Sequence, residues 1–205
     1  MVVVTVFTMV SAACGAPRYH YLKSTTDHTF VRVPSSWTIF NEDDLLKTSD
    51  KSDEAKNAFK GRSWSVAFDA SPKPSIGHIL GKSGHPSGLV QVRTLSEPER
   101  DAFSLADLRS LLLPWDPLSA EPQDAGQVEV LNAKEVRRPG GLHGSELLLN
   151  LKGTGGSPLK WHQIALTDAT VSKVHVLVIS CDDACYTANE GVINTIIDSW
   201  KVTER

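Results

Sequence analysis

Polar and apolar residues alternate along much of this chain, and the alternation changes period at places that can be named. Phe30-Val31-Arg32-Val33-Pro34 reads as a strand ended by a Pro-Ser-Ser turn, and Trp37-Thr38-Ile39 resumes it. Residues 41–60 are charged, with a helix expected to start after Ser52 and stop at Gly61. Trp64, Val66 and Phe68 alternate with polar neighbours as in a half-buried strand, and Leu89 to Leu95 reads as another. Between them, residues 70–88 are rich in Gly, Pro and Ser and predict a long surface loop. Ser104 is placed to cap a helix carrying Leu105, Leu108, Leu111 and Leu112, which Pro114 breaks.

Four strand-like runs follow, at 127–136, 144–152, 159–167 and 173–180, separated by short turns. Links that short join antiparallel neighbours, because a parallel crossover needs a dozen or more residues, so the tract predicts a four-stranded meander. The last helix is signalled by Thr187-Ala188-Asn189-Glu190, a capping-box pattern, followed by Val192, Ile193, Ile196, Ile197 and Trp200 on one face. Together these elements predict a single α+β domain: an antiparallel sheet with helices packed on it.

Composition adds an address. At 205 residues, 40% hydrophobic and 22% charged, the chain is ordinary for one globular domain. A net charge of −3 with scattered basic residues gives no general drive toward nucleic acid or an anionic membrane, which usually needs a basic patch or stripe. Residues 2–10 (VVVTVFTMV) are too few to span a bilayer, which takes about 20 in a helix. They match the apolar core of a secretory signal, with Ser11-Ala12-Ala13 suited to cleavage before Cys14-Gly15. This arrangement resembles the lipobox of bacterial lipoproteins, although Ser11 stands where that family usually has Leu and no Lys or Arg precedes the apolar run. The resemblance implies residues 1–13 as signal, Cys14 as the lipidated residue, residues 14–27 as a polar tether, and 28–205 as the globular domain. An ordinary cleaved signal and a buried strand are the alternatives. Three cysteines in a secreted chain leave one unpaired, and lipidation of Cys14 would leave Cys181 and Cys185 as a pair. An oxidising compartment favours their disulfide, worth about 2 kcal/mol for so small a loop; a Cys-x-x-x-Cys metal or redox site is the rival.

Phe30, Val33, Pro34 and Trp37, the late meander, and the closing Asp198-Ser199-Trp200-Lys201-Val202 resemble the PsbP-like fold. That fold is shared by an extrinsic photosystem subunit, a Ran-binding nuclear-transport factor and bacterial lipoproteins of the LpqN type. The resemblance covers about residues 28–202 and implies a PsbP-like α/β/α sandwich acting as a binding or assembly module.

Candidate chemistry is sparse. Gly77-His78-Ile79-Leu80-Gly81-Lys82-Ser83 has three residues between its glycines where a phosphate-binding loop needs four, and Gly84-His85-Pro86 forbids the helix that should follow. His162 and His175 would face each other if the 168–169 turn were a two-residue hairpin. Gly144-Ser145-Glu146 lacks the second glycine of a nucleophile elbow. No catalytic residue, metal site or cofactor is assigned. Long loops are where function is expected, so the binding candidates are His78, Lys82, His85, Trp115 and Asp116 in the 70–88 and 114–126 loops. The expected role is a membrane-anchored extracytoplasmic module for an envelope protein or small ligand; the alternative is an extracytoplasmic hydrolase using the 70–88 loop with His162 or His175.

The anchor is testable directly. Cys14→Ala should release the protein from membranes, and mass spectrometry of the mature N-terminus should find an acylated Cys14. An unmodified residue 14, or a retained Met1 peptide, would refute the assignment.

Overall fold

The structure is a computed structural model that describes residues 17–119, 127–152 and 157–203. In chain order its elements are β1 (Tyr19–Ser24), β2 (Thr29–Pro34), β3 (Thr38–Asn41), α1 (Glu42–Lys47), α2 (Asp53–Lys60), β4 (Ser63–Asp69) and β5 (Ser87–Thr94). Then come α3 (Glu97–Ala102), α4 (Leu105–Arg109), β6 (Val128–Arg137), β7 (His143–Leu151), β8 (Leu159–Thr167), β9 (Lys173–Asp182), α5 (Asp183–Ser199) and β10 (Lys201–Val202).

Seven strands form one antiparallel sheet in the order β3-β4-β5-β9-β8-β7-β6, and β1-β2-β10 form a small second sheet. The expected meander is therefore present as β6 to β9, and β9 turns back to pair with β5. Two layers of core flank the large sheet. On one face Val66, Phe68, Ile164, Leu177 and Ile179 pack against Ile193 and Ile196 of α5 and against Val31 and Val33 of β2. The other face is covered by the short α4, where Leu108 is buried, and by Ile79, Leu80, Leu112 and Leu113 from loops. The Phe-x-x-Val-Pro-x-x-Trp pattern of Phe30, Val33, Pro34 and Trp37 earns its place through packing: Val33 is fully buried, and the Trp37 ring lies 5.8 Å from that of Phe68.

Several expectations need correction. The segment expected as tether contains β1, whose six residues pair in register with β2 from Tyr19↔Pro34 to Ser24↔Thr29. Its outward residues Tyr19, Tyr21 and Lys23 make it look like a polar linker, while Leu22 packs inward on the core. Cys14 lies outside the described residues. The last helix starts four residues before the expected capping box. Asp182 is its N-cap, accepting from Cys185 N at 2.8 Å, and Thr187 lies inside the helix with its hydroxyl donating to Asp183 O. A carboxylate at the end of the strand caps the helix more than a turn earlier, which leaves Thr187 in the helix interior. The helix after Ser104 ends at Arg109 rather than Pro114, and α1 and α3 were not expected. By contrast, α2 has the expected limits, with Ser52 as its N-cap and Gly61 as its C-cap. Cys181 and Cys185 are joined by a disulfide, Cα atoms 6.0 Å apart, pinning the turn from β9 into α5.

Two glycines give predictions of opposite sign. A Cβ at Gly144 in β7 would sit 1.9 Å from the Ala165 carbonyl oxygen, which belongs to the paired backbone of β8 and cannot move alone. Gly144→Ala should cost on the order of 3 kcal/mol. Gly191 lies inside α5 with open space around it, so Gly191→Ala should add about 0.5–1 kcal/mol through helix propensity. Urea unfolding of the two variants beside the parent measures both.

Candidate functional site

Alternation in the meander places polar side chains on the sheet face beneath α5. Glu146 on β7 lies directly opposite Lys134 on β6, and His162 on β8 lies diagonally from Glu146, since His162 pairs with Leu148. Tyr186 reaches the same spot from the second turn of α5. His162 is pinned between them: Nδ1 lies 2.7 Å from the Tyr186 hydroxyl and Nε2 lies 3.1 Å from Glu146 Oε1. The second Glu146 oxygen is 3.1 Å from Lys134 Nζ. Four elements thus contribute one chain of hydrogen bonds, Tyr186–His162–Glu146–Lys134, with His162 only 10% exposed.

Burial first, then the nearby Glu190 and Glu146, pushes the Tyr186 phenol up to about 12. The hydrogen bond from His162 leads the causes that hold Glu146 down at about 2, against a burial effect of opposite sign; Lys134 adds to it. At neutral pH Glu146 is therefore an anion and Tyr186 a phenol, with His162 held between them.

This network forms part of the wall of an open groove of about 730 Å³ that runs beside the second half of α5. Exposed Asn194 and Asp198 of α5 line one side, and Lys134 with the 138–140 turn the other. Arg138 closes its end, with its guanidinium 5.0 Å from the Trp200 ring centroid and one N–H donating to Trp200 O at 3.2 Å. Burial lowers the Arg138 pKa, with Glu146 opposing.

A second cavity, about 680 Å³, lies between the 25–28 turn and the 168–173 turn. Lys173 and Asp27 strap the two turns together at 2.6 Å, and Asp168 accepts from Ser172 N, Lys173 N and Thr170 Oγ1. His175 lies at its base, 3% exposed, with Nδ1 buried and unpartnered. His175 and His162 do not face each other. His175 pairs with Leu166 and His162 with Ile179, so they share a face but lie four residues apart along β8. The cause is a loop of six residues, 168–173 between paired Thr167 and Val174, in place of two.

The loop candidates are dispersed. His78 Nδ1 lies 2.7 Å from Oδ2 of fully buried Asp69, which also accepts from Ser71 N and Ser75 N, so this histidine organises its own loop. Lys82 and His85 are exposed. Ser87 Oγ bonds to His78 O and Asp182 N to Ser83 O, tying the loop to β5 and β9. Trp115 is half-buried, and Asp116 is bound by Arg109 through Nε at 2.8 Å and Nη2 at 2.6 Å. Sequence reasoning missed Glu146, Tyr186, Lys134 and Arg138 as site residues. Their signal is cross-strand register, which becomes readable only once the hairpin lengths are known.

The solution structure of cyanobacterial PsbP (CyanoP) from Synechocystis sp. PCC 6803 is similar over 95% of this chain and 98% of its own, at 14% identity and a TM-score of 0.53. The Ran-binding protein Mog1p of Saccharomyces cerevisiae matches over 90% and 95%, at 9% identity and a TM-score of 0.43. No protein-family model matches the chain, and no curated protein matches it by sequence. The fold is thus PsbP-like, an α+β domain built on antiparallel sheets.

His175 sets a pH dependence. Burial holds its pKa at about 4, below the usual 6.5, so between these values the unfolded chain binds a proton that the folded chain refuses. Stability should be complete above about 6.5 and fall as pH drops toward 4. Glu146 adds a loss of the same sign only below 4.5, as pH falls toward about 2. Denaturant midpoints between pH 6.5 and 4.5 should therefore slope downward in the parent and flatten in His175→Leu. An equal slope in both would show that another group titrates.

Proposed function

We propose that this chain is a membrane-anchored extracytoplasmic lipoprotein whose domain is a binding or assembly module, and that the groove beside α5 is its recognition surface. The observation that carries the reading is the Tyr186–His162–Glu146–Lys134 network. It is drawn from four regular elements and locks its side chains into one geometry, as a rigid recognition surface requires. For the alternative, a hydrolase using the 70–88 loop, His78 is already bound to buried Asp69, which holds that loop in place. The Cys181–Cys185 disulfide supports an oxidising compartment, and the apolar run before Cys14 supports export with lipid attachment.

The test uses a photo-crosslinking residue at exposed Asn194 in the groove and, as control, at exposed Asn57 on α2. Irradiated membranes should give a discrete adduct from position 194 and none from 57. Excess unlabelled protein should suppress it, and Asp198→Arg should weaken it at least about tenfold if one desolvated charge pair is reversed. Indistinguishable adduct patterns at the two positions would remove the groove from consideration.

A further inference from the structure

The small sheet turns one face to the core and the other to solvent. Leu22, Val31, Val33 and Val202 point inward and belong to the main core. Alternation then puts Tyr19, Tyr21 and Lys23 of β1, Phe30 and Arg32 of β2, and Lys201 of β10 on the outward face. These six form one contiguous patch, because Tyr21 lies opposite Arg32 while Phe30 lies between Lys23 and Lys201. Tyr21 stacks on Phe30 with ring centroids 6.0 Å apart and is still 62% exposed. Arg32 sits 5.0 Å from the Tyr19 ring centroid. No Asp or Glu occupies an outward position on the three strands. Among the described residues, none of the three cations has a carboxylate within ion-pair distance.

We infer that this face docks on an anionic lipid surface and so sets how the domain lies on the membrane. The inference rests on the lipid-anchored reading above. Three aromatic rings with three unneutralised cations is the chemistry of the membrane interface: tyrosines concentrate at headgroup level, and each Lys or Arg near an anionic leaflet contributes about 1 kcal/mol. Chain length makes the choice of occupant. Only five peptide units separate Cys14 from Tyr19, a reach of about 18 Å at full extension, so a lipid on Cys14 brings β1 to the headgroups. A basic patch is also the kind of second signal that makes lipid attachment durable.

The test takes the full chain carrying Cys14→Ala, which removes the lipid, and sediments it at low ionic strength with two kinds of vesicle. One is phosphatidylcholine containing phosphatidylglycerol, and the other is phosphatidylcholine alone. Binding should appear on the anionic vesicles only and fade with added salt. Lys23→Glu with Lys201→Glu should weaken partitioning at least about tenfold. Tyr21→Ser should weaken it severalfold at unchanged charge, and Lys56→Glu on α2 should have little effect. Equal binding to both vesicles, indifference to the face variants, or retention on single-stranded oligonucleotide without retention on anionic vesicles would overturn the inference. The anchor reading fails separately, on the mass of the N-terminal peptide: an acylated Cys14 combined with indifferent face variants removes the docking face and leaves the anchor.

Discussion

Strand β9 is covered on both faces along nearly its whole length, with eight of its ten residues buried, and the domain is organised around that constraint. A strand in this position must be flanked by hydrogen-bonded neighbours and roofed twice, and β5 and β8 supply the first condition. Helix α5 with the small sheet supplies one roof, and α4 with the apolar tips of loops supplies the other. The disulfide at the end of β9 then fixes where α5 departs, which determines where Tyr186 and Asn194 stand over the sheet. His175 is the cost of the arrangement, a histidine on a strand with no room for its charge.

The groove follows from the same geometry. Toward β6 the large sheet extends beyond the cover that α5 provides, and β6 itself is exposed along most of its length. Polar residues at the boundary between covered and open sheet are shielded enough to strengthen their hydrogen bonds, yet remain accessible from one side. Glu146 and His162 occupy that boundary, half in the core by position and wholly polar in chemistry. Lys134 lies further out and more than half exposed, as the outermost member of the network.

The parts of the fold governed by local pattern were readable from the chain. The meander, α2 with both its caps, and the helix start after Ser104 came from periodicity and turn residues, and all are present. What escaped depends on distant partners. Strand β1 is visible only through its pairing with β2, since three of its six residues face outward and two of those are tyrosines. The true start of α5 was hidden because two capping signals lie five residues apart, and the choice between them is made by the strand end at Asp182. Of the groove, His162 was singled out for the wrong partner. A loop of six residues in place of two moved it away from His175, and its actual neighbours lie on β7 and α5. Loop length in sequence suggested function at His78, whereas its bond to buried Asp69 shows how a long segment can serve to close a core.

The small sheet also constrains when this domain can form. Its middle strand, β2, receives one neighbour from the start of the chain and the other from its end, with Lys201 pairing with Phe30 and the Trp200 indole donating to Thr29. Contacts spanning some 170 residues are closed late, because the entropy of a long loop is lost before they give anything back. The roof over β9 therefore has to wait until β10 is available, and until then β2 lacks one of its two neighbours. The last strand to arrive is thus the one that closes the domain.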